Sequence, residues 1–153
     1  MEHKSTARAR TRIRLGICSR LESAGLRPTR QRVALAKILF CRGDRHVTAE
    51  GVHQEAVNDR IRVSLATVYN TLNQFTEQGL LRRVMVVGAK TYYDSNISEH
   101  PHFFVEDDQS ILDIPPGELT VENIPPPPAG YEVDRIDVIV RLRRLPSWAA
   151  KTT

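Results

Sequence analysis

Two histidines stand one residue apart in the segment SEHPHFF, and they are the clearest chemical feature of this sequence. On an extended strand the side chains at i and i+2 project from the same side, so the imidazoles of His100 and His102 can reach one ion. Pro101 between them suits an extended backbone. The alternative interpretation is a pair of surface histidines at the start of a strand.

A divalent metal ion needs two or three further ligands, and carboxylates suit iron, manganese or zinc alongside imidazole. Three residues can supply them: Asp94 at the end of a predicted hairpin, Asp113 on the next predicted strand, and His46 in the loop before a predicted helix. Five candidate ligands favour a closed site. A metallohydrolase, the enzymatic alternative, needs an open coordination position and a general base. No Ser-His or Cys-His arrangement offers a nucleophile, so we expect no enzyme.

The segment VSLATVYNTLNQFTEQGLL carries a polar but uncharged face. Its apolar residues recur at helical spacing, which predicts an amphipathic helix with Leu65, Val68, Leu72 and Phe75 facing inward. Ser64 can cap its start. Small, flat and amide side chains on the other face can contact thymine methyl groups and adenine edges. These side chains are Ala66, Thr67, Tyr69, Asn70 and Asn73.

Arginines precede the starts of two predicted helices and are suited to phosphate contacts. They are Arg27, Arg30, Arg32, Arg60 and Arg62. From Met1 to Tyr93 the chain holds 17 Lys and Arg against 7 Asp and Glu, and from Asp94 onward 5 against 11, so the net charges are +10 and −6. A basic front half predicts a polyanion partner such as double-stranded DNA, and an acidic rear half predicts a separate task. The alternative is a protein-interaction module that binds an acidic partner.

The front half has the elements that position such a helix. Gly and Pro signals and apolar spacing predict helices over Ile17–Ala24, Thr29–Phe40, Thr48 to about Val57, and Ser64 to Gly79. LLRRVMVV and KTYYD around Gly88-Ala89 predict a β-hairpin. Helices followed by a hairpin predict a winged helix-turn-helix whose last helix lies in the major groove of DNA.

The rear half is predicted to contain strands, in an α+β protein that ends in a small α/β domain with an antiparallel sheet. HFFVED and SILDI are short strands joined by an acidic turn, and Arg135–Leu142 alternates as a half-buried strand does. IPPPPAG is a stiff polyproline connector. We expect a flexible basic arm over 1–15, a DNA-binding domain over 16–94, a second domain over 95–146, and a flexible tail over 147–153.

Cysteine usage and hydropathy limit the protein class. Cys18 and Cys41 form no C-x-x-C, so a disulfide framework or a thiolate zinc site is not expected, and a reducing cytoplasm is the simplest location. No apolar run reaches the length of a membrane helix, so no membrane partner is expected.

Four motifs together resemble the ferric uptake regulator family of bacterial transcription factors. They are LESAGLRPTRQRVALAKILF, RHVTAE, VSLATVYNTLNQFTEQGLL and KTYYD, within a likeness that runs from about Leu21 to Leu145. The sequence is more similar still to the iron response regulator branch, which shares GLRPTRQR, SLATVYNTLNQ, TYYD and the YE-x-x-RIDVIVRLR strand. That branch also lacks the C-x-x-C structural zinc ligands.

The resemblance implies a homodimer with an N-terminal winged helix on DNA, a C-terminal α/β dimerisation domain and an inter-domain sensory metal site. By motif, Tyr69 corresponds to a major-groove tyrosine and Arg27 to a basic residue that reaches the minor groove. The implied metal ligands are the five already chosen from their chemistry, namely His46, Asp94, His100, His102 and Asp113.

The chain departs from the iron response regulator branch where that branch carries three consecutive histidines implicated in haem binding. Here the segment is His100-Pro101-His102, so haem is a candidate ligand of these two histidines only. Cys18 precedes Ser19 rather than the proline of a Cys-Pro haem motif, and Ile136 stands where a second family site has a histidine. The resemblance implies a regulator of iron homeostasis, and the uncharged helix face predicts that its operators contain AT pairs. The alternative is a metal-activated repressor of the ordinary ferric uptake type.

Overall fold

The chain folds into two compact units. The computed structural model describes the backbone of residues 2–147 and the side chains of residues 8–147. The first unit runs to Met85 and includes Lys90–Ile97, and the second comprises Val86–Ala89 and the chain from Ser98. The sequence placed the boundary after residue 94. The first unit extends beyond it because Ser95 Oγ accepts a hydrogen bond of 2.8 Å from the backbone N–H of Arg45.

Four helices form most of the first unit. They are α1 (Glu2–Ser23), α2 (Arg30–Phe40), α3 (Ala49–Asn58) and α4 (Leu65–Glu77). Hydroxyl caps set three of the starts, because the side-chain oxygens of Thr29, Thr48 and Ser64 each accept a backbone N–H from the first turn. After α4, Gly79 has a φ of 71°, a left-handed conformation that glycine adopts without steric cost. The predicted ends of α4 are therefore confirmed.

The N-terminal segment differs from the prediction. The sequence predicted a flexible basic arm over 1–15 and a helix from Ile17, whereas α1 is continuous from Glu2 to Ser23. The segment ARARTRIR is rich in alanine and arginine, which have high helix propensity, so it extends the helix that Ile17 and Leu21 anchor in the core. Met1 lies outside the described residues.

The core of the first unit confirms the predicted inward face of α4 with one exception. Val68, Leu72 and Phe75 are fully buried and pack with apolar residues of α1, α2 and α3. Leu65 is 36% exposed, because it is the first residue of the helix and lies at the edge of that core. One side of α4 thus holds the helix in place, and the polar side remains at the surface.

A three-stranded sheet completes the first unit. It consists of β1 (His46–Val47), β2 (Arg82–Met85) and β3 (Thr91–Asp94), in the order β1-β3-β2 with both pairs antiparallel. The predicted hairpin of β2 and β3 is confirmed. His46 was expected in a loop, but it lies on β1 opposite Asp94 because the segment before α3 pairs with the edge of β3.

A second three-stranded sheet forms the second unit. It consists of β4 (His102–Val105), β5 (Ser110–Asp113) and β6 (Ile139–Leu142), in the order β5-β4-β6. β4 and β5 are antiparallel, as predicted, whereas β4 and β6 are parallel. The strand predicted over Arg135–Leu142 is shorter than expected, because its pairing with β4 begins where His102 N–H donates to Val138 O at 3.0 Å.

The helices described in this chain all lie in the first unit, so the α/β expectation for the second unit is corrected to strands and turns over its described residues. The prolines at 115, 116 and 125–128 explain this, since proline disrupts helix interiors. The predicted tail lies outside the described residues except for Ser147. None of the described helices is both long enough and apolar enough to cross a bilayer.

Candidate nucleic-acid interface and metal-ligand sets

The uncharged side of α4 lies at the surface, opposite the buried stripe. Ala66 and Asn70 are exposed, while Thr67 and Tyr69 are partly exposed. Ser64 Oγ accepts the backbone N–H of Thr67 at 3.1 Å, and the two hydroxyl oxygens are 2.8 Å apart. Ser64 and the Thr67 hydroxyl are therefore occupied by the cap. This leaves the Thr67 methyl group, Ala66, Tyr69 and Asn70 as the surface that another molecule can meet.

Tyr69 is held by a residue of α3. Its hydroxyl donates a hydrogen bond of 2.6 Å to Glu50 Oε1. That hydrogen bond lowers the pKa of the Glu50 carboxyl below its ordinary value, and it raises the pKa of the Tyr69 phenol. The pair fixes the aromatic ring, and no spacing in the sequence indicates that Glu50 and Tyr69 meet.

Glu50→Gln is expected to lower the pKa of Tyr69 toward the ordinary tyrosine value of 10.0. The stability that this pair contributes is fully present between pH 4.5 and pH 10.0. It is lost as pH rises through the raised pKa of Tyr69 and as pH falls through the lowered pKa of Glu50. Ultraviolet absorbance of tyrosinate against pH measures the shift, with Tyr69→Phe to identify the Tyr69 contribution. An unchanged Tyr69 titration in Glu50→Gln would contradict the contact.

Asn73 connects α4 to the hairpin. Its Oδ1 accepts hydrogen bonds of 2.9 Å from Arg83 Nη2 and of 2.9 Å from the Tyr93 hydroxyl. These two bonds use both lone pairs of the carbonyl oxygen. Bidentate pairing with adenine needs that oxygen as an acceptor, so Asn73 is not placed for the adenine contact that the sequence suggested, whereas Asn70 is exposed.

The predicted phosphate-binding arginines divide into two kinds. Arg32 is engaged within the fold, since its guanidinium donates to Gln74 Oε1 at 2.8 Å and to Arg27 O at 2.9 Å. Its contact with Gln74 ties α2 to α4. The remaining members have exposed side chains, and they are Arg27, Arg30, Arg60 and Arg62. These four are available for phosphates.

One set of predicted metal ligands lies in the first unit. His46 Nε2 is 3.2 Å from Asp94 Oδ2, across the register that pairs β1 with β3. Asp94 is fully buried, and its other oxygen accepts the backbone N–H of Asn96 at 2.8 Å. A buried carboxylate is costly unless a cation or hydrogen-bond donors compensate its charge. This position therefore favours a positively charged partner.

The second set lies in the second unit, where β4 and β5 pair. Asp113 Oδ1 is 3.0 Å from His100 Nε2 and 3.6 Å from His102 Nε2. The two imidazole rings have centroids 4.4 Å apart, and His102 is opposite Asp113 in the strand register. Two ring nitrogens thus converge on one carboxylate oxygen, as the H-x-H spacing predicted.

The hydrogen bonding of His100 favours a cation at this point. His100 Nδ1 is 2.9 Å from Ser98 O, a carbonyl that only accepts hydrogen bonds. A proton on Nδ1 leaves the Nε2 lone pair facing the Asp113 carboxylate at 3.0 Å. Two electron-pair donors that face each other require a proton or a metal ion between them, and a carbonyl behind a ligating imidazole is a common arrangement in metal sites.

The donor types limit which ion these sets can take. Imidazole nitrogens with carboxylate oxygens suit iron, manganese or zinc, and no thiolate takes part. Cys18 and Cys41 are both free thiols outside the two sets. The chemistry of the residues therefore fits a divalent transition metal.

A sequence comparison decides the family. The profile of the ferric uptake regulator family matches residues 23–124, about two thirds of the 153 residues. The chain belongs to the ferric uptake regulator family. Sequence relatives agree with this assignment. A ferric uptake regulation protein of Cupriavidus metallidurans is 34% identical over 80 residues, which are 52% of this chain and 56% of that protein.

A peroxide-responsive repressor, PerR, of Staphylococcus aureus is 31% identical to this family member over 93 residues, which are 61% of this chain and 62% of the repressor. The matched segments span a little over half the length of these relatives. Among solved structures, the ferric uptake regulator of Pseudomonas aeruginosa with manganese superposes with a TM-score of 0.63 at 24% identity, covering 84% of this chain and 97% of that chain. This likeness confirms the α+β fold.

Proposed function

We propose that this protein is a DNA-binding transcription regulator of iron homeostasis that acts as a homodimer in the cytoplasm. The observation that carries the proposal is the exposed, uncharged side of the capped helix α4, beside arginines that are also exposed. A helix that merely faces water usually carries charged residues, whereas this surface suits base edges and methyl groups. Family membership adds that the chain is related to regulators rather than to enzymes.

In this proposal the first turns of α4 lie in the major groove. Tyr69, Thr67 and Ala66 contact thymine methyl groups, and Asn70 pairs with an adenine edge. Arg27, Arg30, Arg60 and Arg62 contact phosphates or reach the minor groove. Arg32 and Asn73 support the surface through their hydrogen bonds with Gln74, Arg83 and Tyr93.

The second unit supports the homodimer. Few of its described apolar side chains are buried, while Leu112, Tyr131, Val133 and Ile136 are 52%, 75%, 52% and 46% exposed. A small sheet with so many exposed apolar residues lacks a sufficient core, and such surfaces mark protein interaction sites. A second copy of the same unit is the partner that the family fold implies.

Metal sensing is the regulatory part of the proposal. His46 and Asp94 of the first unit, with His100, His102 and Asp113 of the second, are the ligands of one divalent ion. Ligands drawn from both units restrict the angle between the DNA-binding heads of the dimer, and the spacing of DNA half-sites makes affinity depend on that angle. When bound, the ion supplies positive charge to the buried Asp94 carboxylate and to the facing pair of Asp113 and His100.

Two modes of regulation fit these residues. In the first, the protein is of the iron response regulator branch, binds its operator without metal, and loses affinity when haem binds through His100 and His102. In the second, it is a metal-activated repressor. Manganese is the ion with which to test the second mode, because the superposed regulator structure from Pseudomonas aeruginosa contains manganese.

A gel shift at fixed salt with apo, manganese-loaded and haem-loaded protein separates these modes. The proposal expects specific binding in at least one state and a clear difference between states. Affinity that rises with manganese identifies the metal-activated mode, and affinity that is high without metal and falls with haem identifies the other. Equal affinity in all three states would contradict sensing, and binding that is indifferent to DNA sequence would contradict the regulator itself.

A further inference from the structure

An open cleft in the first unit is lined by more cationic than anionic side chains, and none of its described lining residues belongs to α4. The cleft has a volume of about 690 Å³ and lies against α1, α2 and the end of α3. Five cationic residues and one carboxylate line it, namely Arg10, Arg14, Arg30, Lys37, Arg42 and Asp59. The residues between them are largely apolar, including Ile13 and Ile61.

Among the residues that the structure describes, one of these cations has ion-pair partners. Arg42 lies 2.8 Å from Glu55 and 3.8 Å from Asp59, which uses the carboxylate of the cleft. The other four cations form no ion pair in the described part of the chain, and they are Arg10, Arg14, Arg30 and Lys37. Like charges at i and i+4, such as Arg10 and Arg14, destabilise a helix. A polyanion is the partner that relieves this repulsion.

The cleft is continuous with the proposed DNA surface. A neighbouring cavity of about 630 Å³ is lined by Thr29, Arg30 and Arg62, so Arg30 belongs to both cavities. Arg62 stands just before Ser64, the cap of the recognition helix α4. Exposed cations therefore follow one another from the start of α4, past the start of α2, to the basic side of α1.

We infer that this cleft binds the phosphate backbone of DNA flanking the operator. The inference rests on the proposed function, and it extends the contact beyond the base pairs that α4 reads. Guanidinium groups suit phosphates, and on a helix Arg10 and Arg14 are about 6 Å apart along the axis, so one face of α1 can follow successive phosphates of a strand. The contact carries no base sequence information and adds salt-dependent affinity.

The test compares two double variants that remove equal charge from α1. Arg10→Gln with Arg14→Gln changes the cleft, whereas Arg8→Gln with Arg12→Gln changes exposed arginines on the opposite side of the helix. Glutamine preserves helix propensity. Binding is measured against salt on two duplexes. One is an operator selected by the wild-type protein from random DNA, and the other is the same operator extended by about one helical turn on each side.

The expected result is a smaller salt dependence for the cleft variant on the extended duplex only. Losing two phosphate contacts in each protomer, four in the homodimer, lowers the slope of log affinity against log salt by about 3.6. The Arg8 and Arg12 variant should keep the wild-type slope on both duplexes, and circular dichroism should show an unchanged helix content for both variants.

Three results would overturn the inference. These are equal losses in the two double variants, an equal loss on the trimmed operator, and no loss at all. Failure of the proposed function has a different signature, because the wild-type protein would then select no preferred duplex from random DNA. The cleft could instead bind a small anion. The cleft variant would then keep the wild-type salt slope on the extended duplex, and inorganic phosphate would protect the cleft arginines from arginine-modifying reagents. This result also rejects the DNA contact.

Discussion

Asp113→Asn is expected to weaken manganese or zinc binding by about 100-fold or more. Asp113 offers the one carboxylate oxygen that lies near both His100 and His102, and asparagine preserves its size while removing its charge. Changing residues that merely support a metal ligand already costs 10–100-fold in affinity, so the loss of a ligand should cost at least the upper end of that range. Competition with a chromogenic chelator at fixed pH measures the change.

Asp108→Asn is the matched control for this experiment. Asp108 lies in the acidic turn of the same unit, where it pairs with Arg144 at 3.3 Å, and its substitution removes the same charge. It should leave metal affinity within a small factor of the wild-type value. Similar losses in the two variants would mean that the acidic surface attracts cations generally, and full retention of affinity in Asp113→Asn would remove this residue from the ligand set.

Tyr69→Ala is expected to cost about 1–3 kcal/mol of operator binding, which is roughly a 5- to 150-fold loss of affinity. The ring is partly exposed and partly packed against the core, so its removal deletes the apolar surface proposed to meet the major groove while the fully buried residues of α4 stay in place. Affinity for DNA of unrelated sequence should hardly change, because phosphate contacts determine it. Fluorescence anisotropy with operator and competitor duplexes measures both quantities.

Tyr69→Phe separates the ring from its hydroxyl. The phenylalanine variant keeps the apolar contact and loses only the hydrogen bond to Glu50, so it should retain most of the operator affinity. If Tyr69→Ala kept the wild-type operator preference, α4 would not be the helix that reads DNA. If the two variants lost affinity equally, the hydroxyl rather than the ring would carry the contact.

The sequence was sufficient to predict the elements that depend on local chemistry. Periodic apolar residues identified α4, and hydroxyl residues and Gly79 identified its ends, because caps act within one turn of the helix. The H-x-H pattern predicted that His100 and His102 project together, since side-chain alternation is a property of every strand. The metal-ligand residues were likewise chosen from donor chemistry alone.

The features that the sequence did not predict depend on contacts between distant residues. Asn73 resembles a base-reading amide until Arg83 and Tyr93, 10 and 20 residues away, occupy its oxygen. The bond from Tyr69 to Glu50 spans 19 residues and has no characteristic spacing. Composition suggested disorder for residues 1–15, but helix propensity and the anchored residues that follow extend α1 back to Glu2. The length of β6 depends on its pairing with β4, which the alternating pattern of Arg135–Leu142 does not reveal.

Strand β3 connects the candidate metal ligands of the first unit with the helix α4. Tyr93 and Asp94 are consecutive residues whose side chains leave the strand in opposite directions. The Asp94 carboxylate lies beside His46, and the Tyr93 hydroxyl donates a hydrogen bond to Asn73 on α4. A single peptide unit therefore joins the candidate metal ligand Asp94 to the residue that contacts α4, so a displacement of β3 at Asp94 would also displace the hydrogen bond between Tyr93 and Asn73.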